Sequence, residues 1–470
     1  MHLPRFFTRN GIGAGYFFLV LSLIHPSVAD ATNGLSSSDS LPRRAFLGAT
    51  VEPAPDHHVR IIKIVTGSAA AVSQLAVGDI VLALNGSIID SVATFLATMK
   101  SFKSGDRVTC RVQRDGKEAN IDVTVGEWPR EQPGDIQVLY DAVDTPAAKL
   151  RSLLTKPIGN AHKLPAILYL QGIGCSSIEW SLPEPNLSRE LIYRLTRAGF
   201  VVMRSEKSGV GDSTGTPCRD VGLRDEVSLF ASVLRKLKSY DFVDGGNVFI
   251  FGHSAGGWVA PLVAATEPVK GIVVYGTVVR PFAEYYVENR RRNQRLRLQP
   301  DLAQLEDEQR LVAQLLHYLL VEKSSVRDAT AKHPELTTIA MKLFPQDEEH
   351  LDGLRSLQYF RELNDQNVAR VWASLDLPVL ALIGEFDIRT LPLDHEYIAE
   401  IVNDRHPGNG AWRVLPTMDH GFALHQSLKE GAIHEFVGPF GEQVVQDTVR
   451  WIRDIVLGRR ARASLPPAKP

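Results

Sequence analysis

Ser254 lies in Gly252-His253-Ser254-Ala255-Gly256, between the apolar run 248–251 and the apolar stretch 258–265. Four continuously apolar, β-prone residues predict a strand buried on both faces, and the stretch after the glycines predicts a packed helix. Strand, G-x-S-x-G and helix together form the pattern that holds a serine at the tip of a sharp turn. Side chains at Gly252 and Gly256 would collide with neighbouring backbone in so tight a turn. Ser254 then faces a helix N-terminus, whose free N–H groups favour developing negative charge. A Gly-rich sequence can match this motif by accident, so the chemistry needs partners. A serine hydroxyl is a weak nucleophile until a base takes its proton, and the base needs a carboxylate to orient it. Both are expected C-terminal to the serine, each just past a strand. Residues 379–383 run into Gly384-Glu385-Phe386-Asp387, and residues 412–415 run into Pro416-Thr417-Met418-Asp419-His420-Gly421. Alone, Asp387 reads as a helix cap and His420 as one of fourteen histidines. In this order and context they are the expected orienting acid and base for acyl transfer from Ser254. The Ala255 N–H is one expected donor to the oxyanion that would form.

The elements that must position these residues occupy only part of the chain. At 470 residues the length predicts two folded units plus extensions. Hydrophobic content of 44% and charged content of 23% are those of a soluble globular protein. A net charge of −2 offers no basis for nucleic acid or an anionic surface as partner. Three cysteines, Cys110, Cys175 and Cys218, exclude a disulfide-dense scaffold and a Cys-rich metal site. Arg5 and Arg9 precede the apolar run 16–24, and Pro26 and Ser27-Val28-Ala29 follow it. This predicts a signal peptide over 1–29 and export to the periplasm or beyond, an uncleaved anchor being the alternative. No cysteine follows the run, which argues against lipidation, and no other segment is long and apolar enough to span a bilayer.

Residues 30–44 read as a polar, Ser-rich, disordered spacer. From 45 to 127 the chain predicts short strands, turns and one helix over 91–100, with a hairpin closed at Asp115-Gly116. This segment resembles a PDZ domain of the bacterial secreted type. The resemblance is carried by Phe46-Leu47-Gly48-Ala49, Gly67-Ser68-Ala69-Ala70, Leu75, Gly78-Asp79-Ile80, Asn85-Gly86 and Arg114-Asp115-Gly116. It implies binding of a peptide C-terminus by strand addition, with the Phe46, Leu47, Gly48, Ala49 loop receiving the carboxylate. A domain that has lost its ligand and only packs on its neighbour is the other reading.

A Pro/Gly-punctuated linker is expected over 128–135, and strands alternating with helices follow from 136 to 460. That alternation predicts a mostly parallel sheet covered on both faces. Between about 281 and 376 the rhythm gives way to a helical, charged stretch, read as a cap over the C-terminal edge of the sheet. Its Arg290-Arg291-Arg292 and Arg295 read as a solvated face, with anion recognition as the alternative. Residues 461–470 read as a frayed tail.

This second unit resembles the α/β-hydrolase superfamily, in the elbow, the Ser…Asp…His order and Glu206-Lys207-Ser208-Gly209-Val210-Gly211-Asp212-Ser213. The resemblance implies a second oxyanion donor in Gln171-Gly172-Ile173-Gly174-Cys175, assigned to the Ile173 N–H, with Gln171 where related enzymes commonly carry His. It also sets the strand ending at Leu170 beside the strand ending at Met203. Cys175 and Cys218, in the loops leaving those strands, are therefore expected to pair, the alternative being two free thiols; Cys110 is expected to stay free and buried. The resemblance implies an exported serine hydrolase of carboxylic esters, with a small acyl substrate and neither metal nor organic cofactor. A peptidase on the same triad, or a PDZ binding protein with a silent hydrolase fold, are the alternatives.

Overall fold

A computed structural model of the chain describes residues 41–54, 57–159 and 162–459. The expected signal peptide, most of the expected spacer and the expected tail lie outside the described residues. Among the described residues, no helix is long and apolar enough to cross a membrane.

The large sheet has eight strands: β1 (Ile136–Asp144), β2 (Lys149–Pro157), β3 (Leu164–Leu170), β4 (Val201–Ser205), β5 (Val243–His253), β6 (Gly271–Tyr275), β7 (Val379–Gly384) and β8 (Gly410–Leu415). Their order is β8-β7-β6-β5-β3-β4-β2-β1. From β4 to β8 all neighbours run parallel, while β2 is antiparallel to both β1 and β4. Alternation along β5 shows why it lies at the centre. Val248 and Ile250 enter the core on one face with helices α2 (Leu223–Lys238) and α3 (Gly256–Thr266). Phe249 and Phe251 enter the core on the other face with α1 (Leu187–Arg197) and the C-terminal helix Gln443–Val456. A strand buried on both faces reads as a continuous apolar run, as 248–251 does. The α1 helix starts where the Asn186 side chain accepts from the Arg189 N–H at 2.9 Å, an N-cap, and carries Arg194 and Arg197 in its last turn.

The chain between β6 and β7 forms the cap, beginning with helix α4 (Phe282–Leu298). Of the arginines read as a solvated face, Arg295 is exposed, while the other three are engaged. Arg290 pairs with Glu308 at 2.7 Å, and Arg291 with Glu306 at 2.7 Å and Glu288 at 2.6 Å. Arg292 turns inward to backbone carbonyls beyond β7.

The N-terminal unit is a six-stranded sheet with Ala49–Ala54 at its edge, beside the helix Val92–Ser101. Ser91 and Thr94 form a capping box on that helix, and Cys110 is buried and free. Two sequence-based boundaries shift. Residues 41–44, expected in the spacer, are ordered by the second unit: Arg43 is buried against Glu179 and Asp212, and the Leu41 carbonyl accepts from Arg151 at 2.9 Å. The stretch read as a linker contains Glu131, only 5% exposed. Its carboxylate accepts from Arg204 at 2.5 Å, Tyr193 OH at 2.6 Å and the Trp180 N–H at 2.6 Å. Burial would raise the Glu131 pKa, but Arg204 and these hydrogen bonds hold it below the usual carboxylate range. Composition signals a linker by its prolines and glycine, and cannot show that one of its charges has a buried partner.

Replacing Glu131 by Gln leaves the Arg204 guanidinium, itself 1% exposed, without its counter-charge. The loss should be about 3–5 kcal/mol in urea unfolding at neutral pH. Because the folded pKa is depressed, wild type should hold this advantage above the ordinary carboxylate pKa and lose it as the pH falls through the folded value.

Candidate active site

The turn after β5 carries Ser254 at φ 56°, a left-handed conformation that is costly for a residue with a side chain. The Ser254 N–H donates to the Tyr275 carbonyl at 2.9 Å, and its carbonyl accepts from Gly257 at 2.9 Å, which pins both sides of the turn. A Cβ at Gly252 would stand 2.6 Å from the Gly256 carbonyl oxygen, and one at Gly256 would overlap the Leu170 carbonyl. Strand, helix and the end of β3 therefore meet backbone to backbone.

His420 and Asp387 come together from loops beyond β8 and β7. His420 Nδ1 donates to Asp387 Oδ2 at 2.8 Å, and both residues are buried. The second Asp387 oxygen accepts the N–H groups of Arg389 at 2.7 Å and Thr390 at 3.0 Å, while Thr390 Oγ1 donates to Oδ2 at 2.8 Å. Burial alone would raise the Asp387 pKa; His420 and these donors outweigh it and hold the carboxyl well below the usual range. Half-buried Ser254 is close by, since its N–H partner Tyr275 adjoins Gly276, where a Cβ would stand 2.8 Å from His420 Nδ1. Among the described residues no hydrogen bond joins Ser254 Oγ to His420, a contact that in unliganded enzymes often tightens only with substrate.

The two expected donors lie in the segments flanking this turn, Ala255 directly after Ser254 and Ile173 in the loop after β3. A Cβ at Gly172 would stand 3.3 Å from Ser254 Cβ and 3.6 Å from its Oγ, so the loop after β3 lies against the serine. Neither the Ile173 nor the Ala255 N–H has a protein acceptor among the described residues. Ala255 is buried, and orphaned N–H groups are rare in buried backbone. Cys175 and Cys218 form a disulfide with Cα atoms 5.7 Å apart, which ties this loop to the segment after β4.

The Phe46, Leu47, Gly48, Ala49 loop is remote from these groups in the chain. The Leu47 carbonyl accepts from Ala70 at 2.8 Å and the Gly48 carbonyl from Val65 at 2.8 Å. No acceptor for the Leu47 or Gly48 N–H is found among the described residues.

Several supporting side chains escape sequence reasoning. Asp419 is buried, and one of its oxygens accepts the N–H groups of Gly421 and Ala423, both at 2.8 Å. The other accepts from Phe436 N at 2.7 Å and His425 Nε2 at 3.0 Å, shaping the His420 loop. His253 Nε2 donates to the His420 carbonyl at 2.9 Å, and burial pushes the His253 pKa down to about 3, so the ring is neutral. On α4, Asn289 donates to the Arg389 carbonyl at 2.8 Å, and Arg292 to those of Thr390 at 2.7 Å and Asp387 at 3.1 Å. Adjacency to His420 was the signal for Asp419, and the arginine cluster was the signal for Arg292.

An α/β sheet with a serine at a sharp strand–helix turn, and an Asp–His pair beyond the carboxyl ends of its strands, defines the class of the α/β hydrolases. The profile of the Alpha/beta hydrolase family matches residues 167–430, more than half of the chain, and the chain belongs to that family. A PDZ domain profile matches residues 45–125. "Esterase EstD" of Thermotoga maritima is 21% identical over 317 residues, 67% of this chain and 68% of that protein. A "Probable periplasmic serine endoprotease DegP-like" of Halomonas elongata is 28% identical over 165 residues, 33% of each chain, so this chain spans about a third of that relative. Among solved structures, Est1E of Butyrivibrio proteoclasticus with ferulic acid bound is similar over 67% of this chain and 99% of its own, at 16% identity and a TM-score of 0.42.

Gly276 has φ 61° and an added Cβ would press on His420 and Asp387. Gly276→Ala should lower hydrolytic turnover by about 100-fold, the scale of a small misplacement of reacting groups, in a protein whose circular dichroism is unchanged.

Proposed function

We propose that this protein is an exported serine hydrolase that cleaves carboxylic esters through an acyl-enzyme on Ser254. The observation that carries the reading is the buried His420–Asp387 hydrogen bond of 2.8 Å beside a serine held at φ 56°. In this reading His420 takes the Ser254 proton as Oγ attacks the ester carbonyl. The Asp387 carboxylate orients the ring and stabilises the imidazolium. The tetrahedral oxyanion is received by the Ala255 and Ile173 N–H groups, which have no acceptor within the protein among the described residues. Proton return from His420 expels the alcohol, and water repeats the sequence on the acyl-enzyme. The name of the Thermotoga relative supports ester substrates, and the periplasmic relatives support export.

The PDZ domain would bind a peptide C-terminus along the edge strand Ala49–Ala54, with the Leu47 and Gly48 N–H groups facing its carboxylate. It also favours a second reading, in which the triad cleaves peptides delivered by that domain. Parallel assays on acyl esters and aminoacyl amides separate the two. Ser254→Ala should lose activity by a factor on the order of a thousand or more, and His420→Ala added to it should cost little further. A fluorophosphonate should label wild type at Ser254 and leave the Ala variant unlabelled; near-wild-type turnover by Ser254→Ala would refute the assignment.

A further inference from the structure

Lys207 follows β4, and its side chain is 3% exposed. Its ammonium donates to the Gly172 carbonyl at 2.7 Å, with the Ile173 carbonyl at 3.4 Å. The nearest carboxylate, Glu226 of α2, is farther away at 3.5 Å and is itself paired with the buried Arg355 of the cap at 2.6 Å. Burial pushes the Lys207 pKa down to about 8, with Glu226 opposing and Arg355 reinforcing the shift. A buried ammonium is normally committed to an anion. Here its shortest bond goes to a neutral carbonyl in the loop that lies against Ser254.

That carbonyl belongs to the peptide unit carrying the Ile173 N–H. In a planar trans peptide the C=O and N–H of one unit point in opposite directions, so fixing the oxygen fixes the hydrogen. The restraints on the rest of the loop act downstream of this unit: the disulfide at Cys175, and the Ile178 N–H donating to Glu206 at 3.1 Å. Among the described residues, Lys207 makes the only hydrogen bonds to the Gly172 oxygen.

We propose that Lys207 is a positioning residue for the oxyanion hole: by gripping the Gly172 carbonyl it holds the Ile173 N–H toward the Ser254 side and strengthens it as a donor. A cation on an amide oxygen polarises the whole amide, which is how hydrogen bonds in series reinforce one another. The inference rests on the acyl-transfer reading of Ser254.

The test compares wild type with Lys207→Met, which keeps the apolar stem without a donor, and Lys207→Gln, which keeps a neutral donor. Removing an oxyanion donor outright costs about 10²–10³ in kcat, so a loosened one should cost Lys207→Met roughly tenfold or more on a soluble acyl ester. KM should stay within about twofold, and Lys207→Gln should fall between the two, because the interaction is made in the transition state. A boronic acid, whose adduct with Ser254 is tetrahedral and anionic, should lose affinity in step with kcat, while inhibition by the carboxylate product should not change. A purely structural lysine would shift the melting temperature without producing that split. If Lys207→Met does not fold, Lys207→Gln carries the same comparison. Unchanged kcat and boronate affinity in a folded variant overturns the inference. A wild type that neither binds boronate nor cleaves any ester overturns the acyl-transfer reading and this inference with it.

Discussion

The backbone contact among Gly252, Gly256 and the end of β3 is the constraint from which the site's geometry follows. At Gly252 an added Cβ would stand 2.6 Å from the Gly256 carbonyl. Such an approach lets α3 begin immediately after β5, and forces Ser254 into φ 56°. Strain of this kind costs on the order of 1–3 kcal/mol and persists only where the surroundings over-determine it. Here the Tyr275 carbonyl and the Gly257 N–H hold the turn from both sides. The loop after β3 lies against the serine as well, since a Cβ at Gly172 would stand 3.6 Å from Ser254 Oγ.

Around that point, each loop is held by polar groups from an element distant in sequence. The loop of Asp387 has its carbonyls read by Asn289 and Arg292, three residues apart and so on one face of α4. At this edge the cap is therefore joined to the acid loop by hydrogen bonds instead of standing off as a free lid. The His420 loop is folded around the Asp419 carboxylate and pinned by His253. The loop after β3 is held by the disulfide, Glu206 and Lys207.

Charged side chains just ahead of the PDZ domain, and one within it, reach the loops after β3 and β4. Arg43 bridges Glu179 and Asp212, Arg44 reaches Glu179 at 3.3 Å, and Lys100 donates to the Gly209 carbonyl at 2.7 Å. Burial pushes the Glu206 pKa up to about 7, although Ser177 and Arg44 favour its ionised form. Buried ion pairs add little net stability over an apolar contact, but breaking one is costly, so they fix one docking geometry against others.

The fold was legible in the sequence because its signals are local. A continuous apolar run marks β5, a change to helical, charged residues marks the cap, and glycines flank the serine where no side chain fits. Asp387 and His420 each follow a strand in a set order that the sequence shows, and the structure joins them by a hydrogen bond. Only the tertiary structure decided that Arg292 turns to the acid loop, that Glu131 locks a supposed linker onto Arg204, and that Lys207 grips the Gly172 carbonyl. The physical reason is reach. Backbone conformation and periodicity are set by neighbouring residues, whereas the partner of a long charged side chain is whichever group folding brings within about 3 Å of its tip.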